Sequence, residues 1–171
     1  MPIVPMNTAD DSVSPGGLAE APVDFELESS SGGSRRLASL RGRVVVIFWE
    51  DRERHRANLA LKRALSALDA PGLCLIAVGD VKDYDFEPVR AIVRVALSAL
   101  ARAIGVEILL DWRGTLAAAP FSLTPGAPNV LVLDPEGRPV LRARGELAPM
   151  AQREVLETVR AELARLPRAA A

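Results

Sequence analysis

A charged segment that directly follows a strongly apolar run holds the side chains best suited to chemistry. The apolar run is residues 43–49, and the segment after it contains Glu53, Arg54, His55 and Arg56 in succession. Imidazole and carboxylate groups serve acid–base catalysis, and guanidinium groups beside a helix N-terminus suit phosphate, sulfate or carboxylate. Carboxylates of the same segment compete for these arginines. A solvated, internally paired charged face is therefore the simplest interpretation, and an anion site is the sharpest alternative.

Metal or thiol chemistry has weak support in the sequence. The one histidine, His55, lies two residues from Glu53, which places the two side chains on different faces of a helix. The one cysteine, Cys74, lies in the apolar run 73–78, where a thiol packs as a small hydrophobic group. The acidic loop 80–87 lacks the spacing of an EF-hand. We predict no metal and no cofactor.

The elements around the charged segment follow an alternating β and α pattern. Residues 43–49 are apolar after Arg43 and rich in β-branched side chains, which is typical of a strand buried on both faces. Leu61, Leu65 and Leu68 recur at helical spacing after it, and residues 73–79 form a second buried run. This order predicts a right-handed βαβ unit whose helix starts in the charged segment.

The second half of the chain continues the pattern. A helix is predicted over residues 88–104, with a strand after it at 106–111, and a β-hairpin is predicted from two runs joined at residues 135–138. A last helix covers residues 149–166. The apolar face of the helix at 88–104 is assigned to Val89, Ile92, Val93, Ala96, Leu100 and Ile104.

The N-terminal residues differ in composition from the rest. Residues 1–20 are rich in Pro, Ser, Asp and Gly, which predicts a flexible tail, and residues 21–168 are predicted to form one domain. The alternation of Val23, Phe25 and Leu27 with acidic residues indicates a half-buried strand at the start of that domain.

Composition excludes several classes of partner. The 171 residues carry 21 Lys and Arg against 22 Asp and Glu, so the net charge of −1 gives no field that attracts nucleic acid or an anionic membrane. No stretch is long enough to span a bilayer, and the first residues lack the pattern of a signal peptide. A cytoplasmic location is expected for the chain as written, and a periplasmic or exported one if a signal peptide was trimmed.

Three segments of the chain resemble the thioredoxin-like superfamily, and most closely its redoxin (AhpC/TSA-like) branch. They are residues 21–27 with 37–49, residues 105–111, and residues 126–138. The resemblance implies an α/β, three-layer fold with a central mixed β-sheet flanked by helices and an N-terminal strand extension. It also implies a cis peptide bond before Pro128, beside the active-site helix.

The resemblance fails at the redox motif. Family members place Cys-X-X-Cys where this chain has residues 53–56, and no cysteine is present there. Thiol–disulfide exchange and peroxidase chemistry both need a thiolate at that point, so neither is expected. The pattern is most similar to the cysteine-less, YtfJ-like subgroup, whose members often carry an export signal.

These observations predict a non-catalytic binding protein of thioredoxin-like fold. The bound molecule would be a peptide, a protein partner or a small anion, held at the surface around the lost motif. We call this the motif surface, and its candidate residues are Trp49, Glu53, Arg54, His55, Arg56, Trp112, Ala127 and Pro128. One alternative is a non-redox enzyme that uses His55 and the nearby arginines. Another is a structural module, monomeric or homodimeric, that pairs through a sheet edge or the last helix.

Overall fold

The computed structural model describes residues 12–15 and 20–167. Within these residues the chain forms one eight-stranded mixed sheet and three α-helices. The strands are β1 Ser12–Pro15, β2 Glu26–Ser29, β3 Ser34–Arg36, β4 Val44–Glu50, β5 Leu73–Asp80, β6 Ile108–Asp111, β7 Asn129–Leu133 and β8 Pro139–Arg144. The helices are α1 Leu59–Ser66, α2 Val89–Ile104 and α3 Pro149–Arg165. Across the sheet the strand order is β1-β8-β7-β4-β5-β6-β2-β3.

The centre of the sheet is β4, whose seven residues are all buried. It pairs in parallel with β5, which pairs in parallel with β6, and it pairs antiparallel with β7. A strand enclosed on both faces needs a continuous apolar run, and residues 44–49 supply one. The predicted βαβ unit and the β7–β8 hairpin are therefore both confirmed.

The two faces of the sheet are covered differently. On one face, alternate residues of β4 pack against Leu61 and Leu65 of α1 and against Val155 and Val159 of α3. On the other face, the core is closed by the segment before β4 and by the loop between β6 and β7, without an α-helix in the described residues. The predicted three layers are present, and short 3-10 turns at Leu37–Leu40 and Thr115–Ala117 contribute to the second outer layer.

The N-terminal prediction needs a correction. Ser12–Pro15 is not part of a flexible tail but a strand, β1, which pairs antiparallel with β8. It forms because β8 offers an unpaired edge and because Val13 packs against the core on the helical face. The rest of the predicted tail, residues 1–11 and 16–19, lies outside the described residues. The predicted inward side chains Val23, Phe25 and Leu27 are buried, as expected, but the strand predicted at the start of the domain begins only at Glu26 and residues 20–25 are irregular.

Two helices differ from their predicted form. Helix α1 begins at Leu59 and not in the charged segment, because residues 52–58 form successive turns and Asn58 adopts a left-handed conformation. Helix α2 has the predicted bounds but packs through Val93, Leu97 and Ala101, so its predicted apolar face is largely wrong. No helix in the described part of the chain has the length and apolar character needed to cross a bilayer.

Candidate functional site

The motif surface lies at one edge of the sheet, where the parallel strands end. Strands β4, β5 and β6 finish at Glu50, Asp80 and Asp111, and the antiparallel β7 starts at the same edge with Asn129. Because parallel strands bring their carboxyl ends together, residues that are distant in sequence meet here. The edge is therefore lined mainly by carboxyl groups.

Asp80 experiences this concentration of negative charge. Burial raises the pKa of the Asp80 carboxyl above its usual value, and the nearby carboxylates of Asp111, Asp83 and Asp51 raise it further, while the backbone N–H of Lys82 acts in the opposite direction. A site with this many carboxylates repels small anions. The anion alternative is therefore disfavoured at the strand ends themselves.

The turn after β4 is fixed in place by hydrogen bonds. The Oδ1 atom of Asp51 accepts hydrogen bonds from the backbone N–H groups of Glu53 and Arg54, each at 3.0 Å, and the guanidinium of Arg54 pairs with the same carboxylate. Lys62 of α1 donates from Nζ to the His55 carbonyl at 3.1 Å. The backbone of residues 51–56 is thus held from both sides.

Lys62 also neutralises the buried end of β4. Its Nζ lies 2.8 and 2.7 Å from the two carboxylate oxygens of Glu50. Burial raises the pKa of the Glu50 carboxyl, and the contact with Lys62 works against that shift. The pair anchors α1 to the strand end, so the turn between them has little freedom.

Four of the predicted residues lie on this turn, and their side chains face outward. Glu53, His55 and Arg56 are exposed, and Arg54 is half-buried by its contact with Asp51. His55 Nδ1 is 2.7 Å from the carbonyl oxygen of Arg52, so one ring nitrogen of His55 is engaged in a hydrogen bond. Among the described residues the structure brings no nucleophilic side chain to His55. His55 also does not line the groove between α2 and the turn at residues 29–32.

The two tryptophans are not brought together. Trp49 is buried at 1% exposure on the face without α-helices, where it packs in the same cluster as Phe121. Trp112 is buried on the opposite face under α2. Their ring positions follow from strand alternation, since each lies at the end of a strand that points it to its own face. The structure therefore places these two candidate residues of the motif surface on opposite faces of the sheet.

Pro128 is buried and its neighbour Ala127 is half-buried. The cis peptide bonds in the described residues precede Pro88 and Pro120, so the prediction of a cis bond before Pro128 is wrong. The trans form is the intrinsically favoured one. It is compatible with the hydrogen bonds of Asn129, whose Nδ2 donates to the carbonyls of Thr124 at 2.9 Å and Ala127 at 2.7 Å.

A groove lies away from the motif surface. It has a volume of about 590 Å³ and runs between the turn at residues 29–32 and α2. Arg94, Arg102 and Glu107 are among its lining residues. None of the eight predicted site residues lines it. At the motif surface the structure presents an exposed charged turn.

A polar cluster centred on Glu28 is not predicted from the sequence. Its carboxylate accepts hydrogen bonds from Arg94 at 2.5 and 3.0 Å and from the indole N–H of Trp112 at 3.0 Å. Arg90 and Arg94 both lie over the ring of Trp112, with guanidinium carbons 4.7 and 5.7 Å from its centroid. The only signal in the sequence was the four-residue spacing of the two arginines, since Glu28 is 66 residues from Arg94.

This cluster predicts a pH dependence of stability. The hydrogen bond from Arg94 lowers the pKa of Glu28, with Trp112 and Arg90 acting in the same direction against the effect of burial. A carboxyl with a lowered pKa stabilises the fold above its unfolded pKa, and that stabilisation is lost as the pH falls through the folded value. Glu28→Gln should therefore destabilise the protein at pH 7 and flatten the loss of stability below about pH 4.5.

Urea unfolding at a series of pH values between 3 and 7 tests this. The matched control is Glu154→Gln on the exposed side of α3, which should follow the wild-type curve. Equal pH profiles for wild type and Glu28→Gln would show that the Glu28 cluster carries no net electrostatic stabilisation.

Comparison with solved structures identifies the architecture. A DsbF homologue from Corynebacterium diphtheriae superimposes with a TM-score of 0.66 at 16% identity, covering 90% of this chain and 96% of that one. A secreted thiol-disulfide isomerase from Corynebacterium glutamicum gives 0.66 at 16% identity, over 95% and 96% of the chains. A thiol:disulfide interchange protein DsbE from Chlorobium tepidum gives 0.58 at 18%, over 89% and 99%. The chain has a thioredoxin-like fold.

Sequence comparison adds no family assignment. No family model matches the chain. One stretch of 60 residues is 48% identical to the tRNA modification GTPase MnmE of Ruegeria pomeroyi, but it covers 35% of this chain and 13% of that protein. The match spans too little of either protein to indicate membership. The thioredoxin-like fold thus rests on structure, and it agrees with the resemblance seen in the sequence.

This thioredoxin-like fold lacks the cysteines for thiol–disulfide exchange. The resemblance assigns the two motif cysteines to positions 53 and 56, where this chain has Glu53 and Arg56, and the single cysteine of the chain is Cys74. Cys74 lies on β5 six residues before Asp80, which is about 20 Å from the motif surface along a strand. It is half-buried against the core, and burial raises the pKa of its thiol. A thiol held protonated in this way is a poor nucleophile, which agrees with the predicted packing role.

Proposed function

We propose that this protein is a non-catalytic, thioredoxin-fold module that binds a protein or peptide partner at the motif surface. The observation that carries the proposal is the turn at residues 51–56. Its backbone is fixed by Asp51 and Lys62, while the side chains of Arg52, Glu53 and Arg56 remain exposed. A rigid backbone that presents charged side chains loses little entropy on binding, which favours recognition.

The shape and charge of the surface favour a macromolecular partner over a small anion. Arg54 of the turn pairs with Asp51, and the carboxylates of Asp51 and Asp83 act on Asp80, so the surface has mixed charge. A small anion would gain from the arginines and lose to the carboxylates. A protein partner can present charges of both signs and so match this pattern. Such a partner binds without a deep cavity.

The proposed partner would not bind by hydrogen bonds to the backbone beside Pro128. The carbonyl of Ala127 accepts from Asn129, and that of Pro128 accepts from the backbone N–H of Gly145 at 2.9 Å. The carbonyl groups of this loop are therefore engaged within the chain. Recognition would instead depend on the side chains of the turn.

The proposal predicts that charge reversal at the turn weakens binding. The ¹⁵N-labelled full chain would be titrated with three probes: an acidic decapeptide, a basic decapeptide and sodium sulfate. A peptide should shift the amide signals of residues 51–56, and Arg52→Glu with Arg56→Glu should weaken that binding at least tenfold, since each lost charge pair removes about 1 kcal/mol or more.

The matched control is Arg153→Glu with Arg160→Glu on α3, which changes the net charge equally at exposed positions away from the turn. This variant should bind as the wild type does. Signals that respond to sulfate alone would point to a small-anion site. If none of the three probes moves the amides of the turn, the proposal is wrong.

A further inference from the structure

Helix α2 exposes an apolar face that no other part of the described chain covers. It rests on the sheet through Val93, Leu97 and Ala101, and none of its sixteen residues is fully buried. On the opposite face, Ile92 is 64% exposed and Val95 is 69% exposed. The remaining exposed apolar residues of this face and its ends are Phe86, Ala91, Ala96, Ala99, Leu100, Ala103, Ile104 and Val106.

The polar residues of α2 are directed elsewhere. Arg90 and Arg94 are paired with Glu28 and stacked over Trp112, on the side facing the sheet. Arg102, the third arginine of α2, is exposed near the C-terminal end of the helix, where it also lines the edge of the groove beside the turn at residues 29–32. A helix on the surface of a monomer normally shows polar side chains to water, and α2 shows the reverse. We call its outward side the α2 face.

The area of the α2 face fits a protein interface. Six large apolar side chains on this face and at its ends are each at least 36% exposed, whereas a monomer usually exposes such residues singly. A stable protein–protein interface takes roughly 800 Å² from each partner, and an apolar helix face of sixteen residues with its flanking Phe86 and Val106 is of the size to contribute to one. The alanines at positions 96, 99 and 103 form a smooth central strip, which lets a second helix approach to about 8 Å between axes.

The charges at the two ends of α2 indicate which partner fits. The N-terminal end follows the exposed acidic side chains of Asp83 and Glu87, and the C-terminal end carries the exposed Arg102. Glu87 and Arg102 have no ion-pair partner within residues 12–15 and 20–167. An antiparallel copy of the same helix brings Arg102 of each chain to the acidic end of the other. It also sets the two helix dipoles against each other favourably.

We propose that α2 pairs antiparallel with α2 of a second copy of this chain, forming a two-fold symmetric homodimer. A two-fold axis through the middle of the helix, near Ala96, places the same apolar strip on both sides of the interface. The acidic and basic ends then meet twice. The dimer and the binding proposal depend on different arginines, Arg102 on α2 and Arg52 with Arg56 on the turn, so each can be tested without changing the other.

Sedimentation equilibrium of the full chain tests the dimer. The wild type should be dimeric with a Kd in the micromolar range or tighter. Val95→Glu should raise the Kd at least a hundredfold, since the symmetric interface receives the charge twice. The matched control is Met150→Glu on α3, which is also an exposed apolar residue of a helix, at 81% exposure, and should leave the Kd unchanged.

A charge exchange tests the antiparallel direction. Arg102→Glu and Glu87→Arg should each weaken the dimer, and the double variant should restore it. A wild type that stays monomeric up to about 0.5 mM, or a dimer that persists in Val95→Glu, would overturn the proposal. A double variant no better than the single ones would overturn the antiparallel arrangement. The variant with Arg52→Glu and Arg56→Glu should remain dimeric, which separates this result from the binding test.

Discussion

Asn58→Ala is expected to lower the free energy of unfolding by about 3 kcal/mol. Asn58 is 3% exposed and joins the start of α1 to the loop between β8 and α3. Its Nδ2 donates to the carbonyl of Gly145 at 3.0 Å, and its Oδ1 accepts from the backbone N–H of Leu147 at 2.8 Å. Removing the side chain leaves both backbone groups without their partner in a buried place.

The backbone of Asn58 adds a second contribution. Its φ of +56° lies in the left-handed region, which asparagine tolerates and alanine adopts at a cost of about 1 kcal/mol. Asn58→Gly removes the same hydrogen bonds, but glycine adopts the left-handed conformation without this cost. The glycine variant should therefore be less destabilised than Asn58→Ala. Urea unfolding followed by tryptophan fluorescence measures both. Equal losses would show that the backbone conformation contributes nothing, and no loss in either would contradict the role of the side chain.

Asn58 also connects stability with the proposed function. It ends the turn that begins at Asp51, so its side chain fixes the far end of the segment that carries Arg52 and Arg56. Loosening this end would increase the entropy lost when a partner binds. A peptide that binds the wild type should therefore bind Asn58→Gly more weakly, although no binding side chain has changed.

The elements that could be predicted from sequence are those whose pattern has one structural solution. Residues 44–50 are too apolar and too β-branched for any position except an enclosed strand, and β4 is that strand. The β7–β8 hairpin follows equally from two apolar runs joined by residues with proline and glycine. The place of the motif surface, at the end of β4, follows from the same pattern.

The start of α1 was not predicted because local side-chain bonds compete with the helix. The carboxylate of Asp51 accepts hydrogen bonds from the first backbone N–H groups of the turn. The left-handed conformation of Asn58 then interrupts the helical backbone, so the helix begins only at Leu59. Asparagine before a leucine-rich run was the available signal. The role of Asn58 depends on its hydrogen bonds to Gly145 and Leu147, which are distant in sequence.

The side of α2 that packs on the sheet was predicted wrongly for a different reason. The helix is apolar around most of its circumference, so periodicity does not choose which side meets the sheet. The choice is made by Arg90 and Arg94, which must reach Glu28 and Trp112. Such contacts join residues far apart in the chain, and a single sequence does not show them. The same choice leaves the α2 face exposed.

Asp111→Asn is expected to cost about 2 to 4 kcal/mol and to open the loop at residues 112–127. Asp111 is fully buried, and its two carboxylate oxygens accept from the backbone N–H groups of Thr115 at 2.7 Å and Leu116 at 3.0 Å. An amide has one acceptor oxygen, so its NH₂ group would face a second donor at one of these positions. The loop would then lose its attachment to the end of β6, although Leu116 and Phe121 still pack in the core.

Limited trypsin digestion separates a local opening from a general loss of stability. Arg113 is an exposed cleavage site at the start of the loop, so cleavage after it should accelerate in Asp111→Asn, as identified by mass spectrometry. The control is Asp134→Asn, a buried aspartate whose Oδ1 accepts from the backbone of Arg138 at 2.7 Å in the β7–β8 turn. It should lower stability without selective cleavage after Arg113. If both variants are cleaved there equally at matched stability, Asp111 supports the whole fold and does not specifically hold this loop closed over the core.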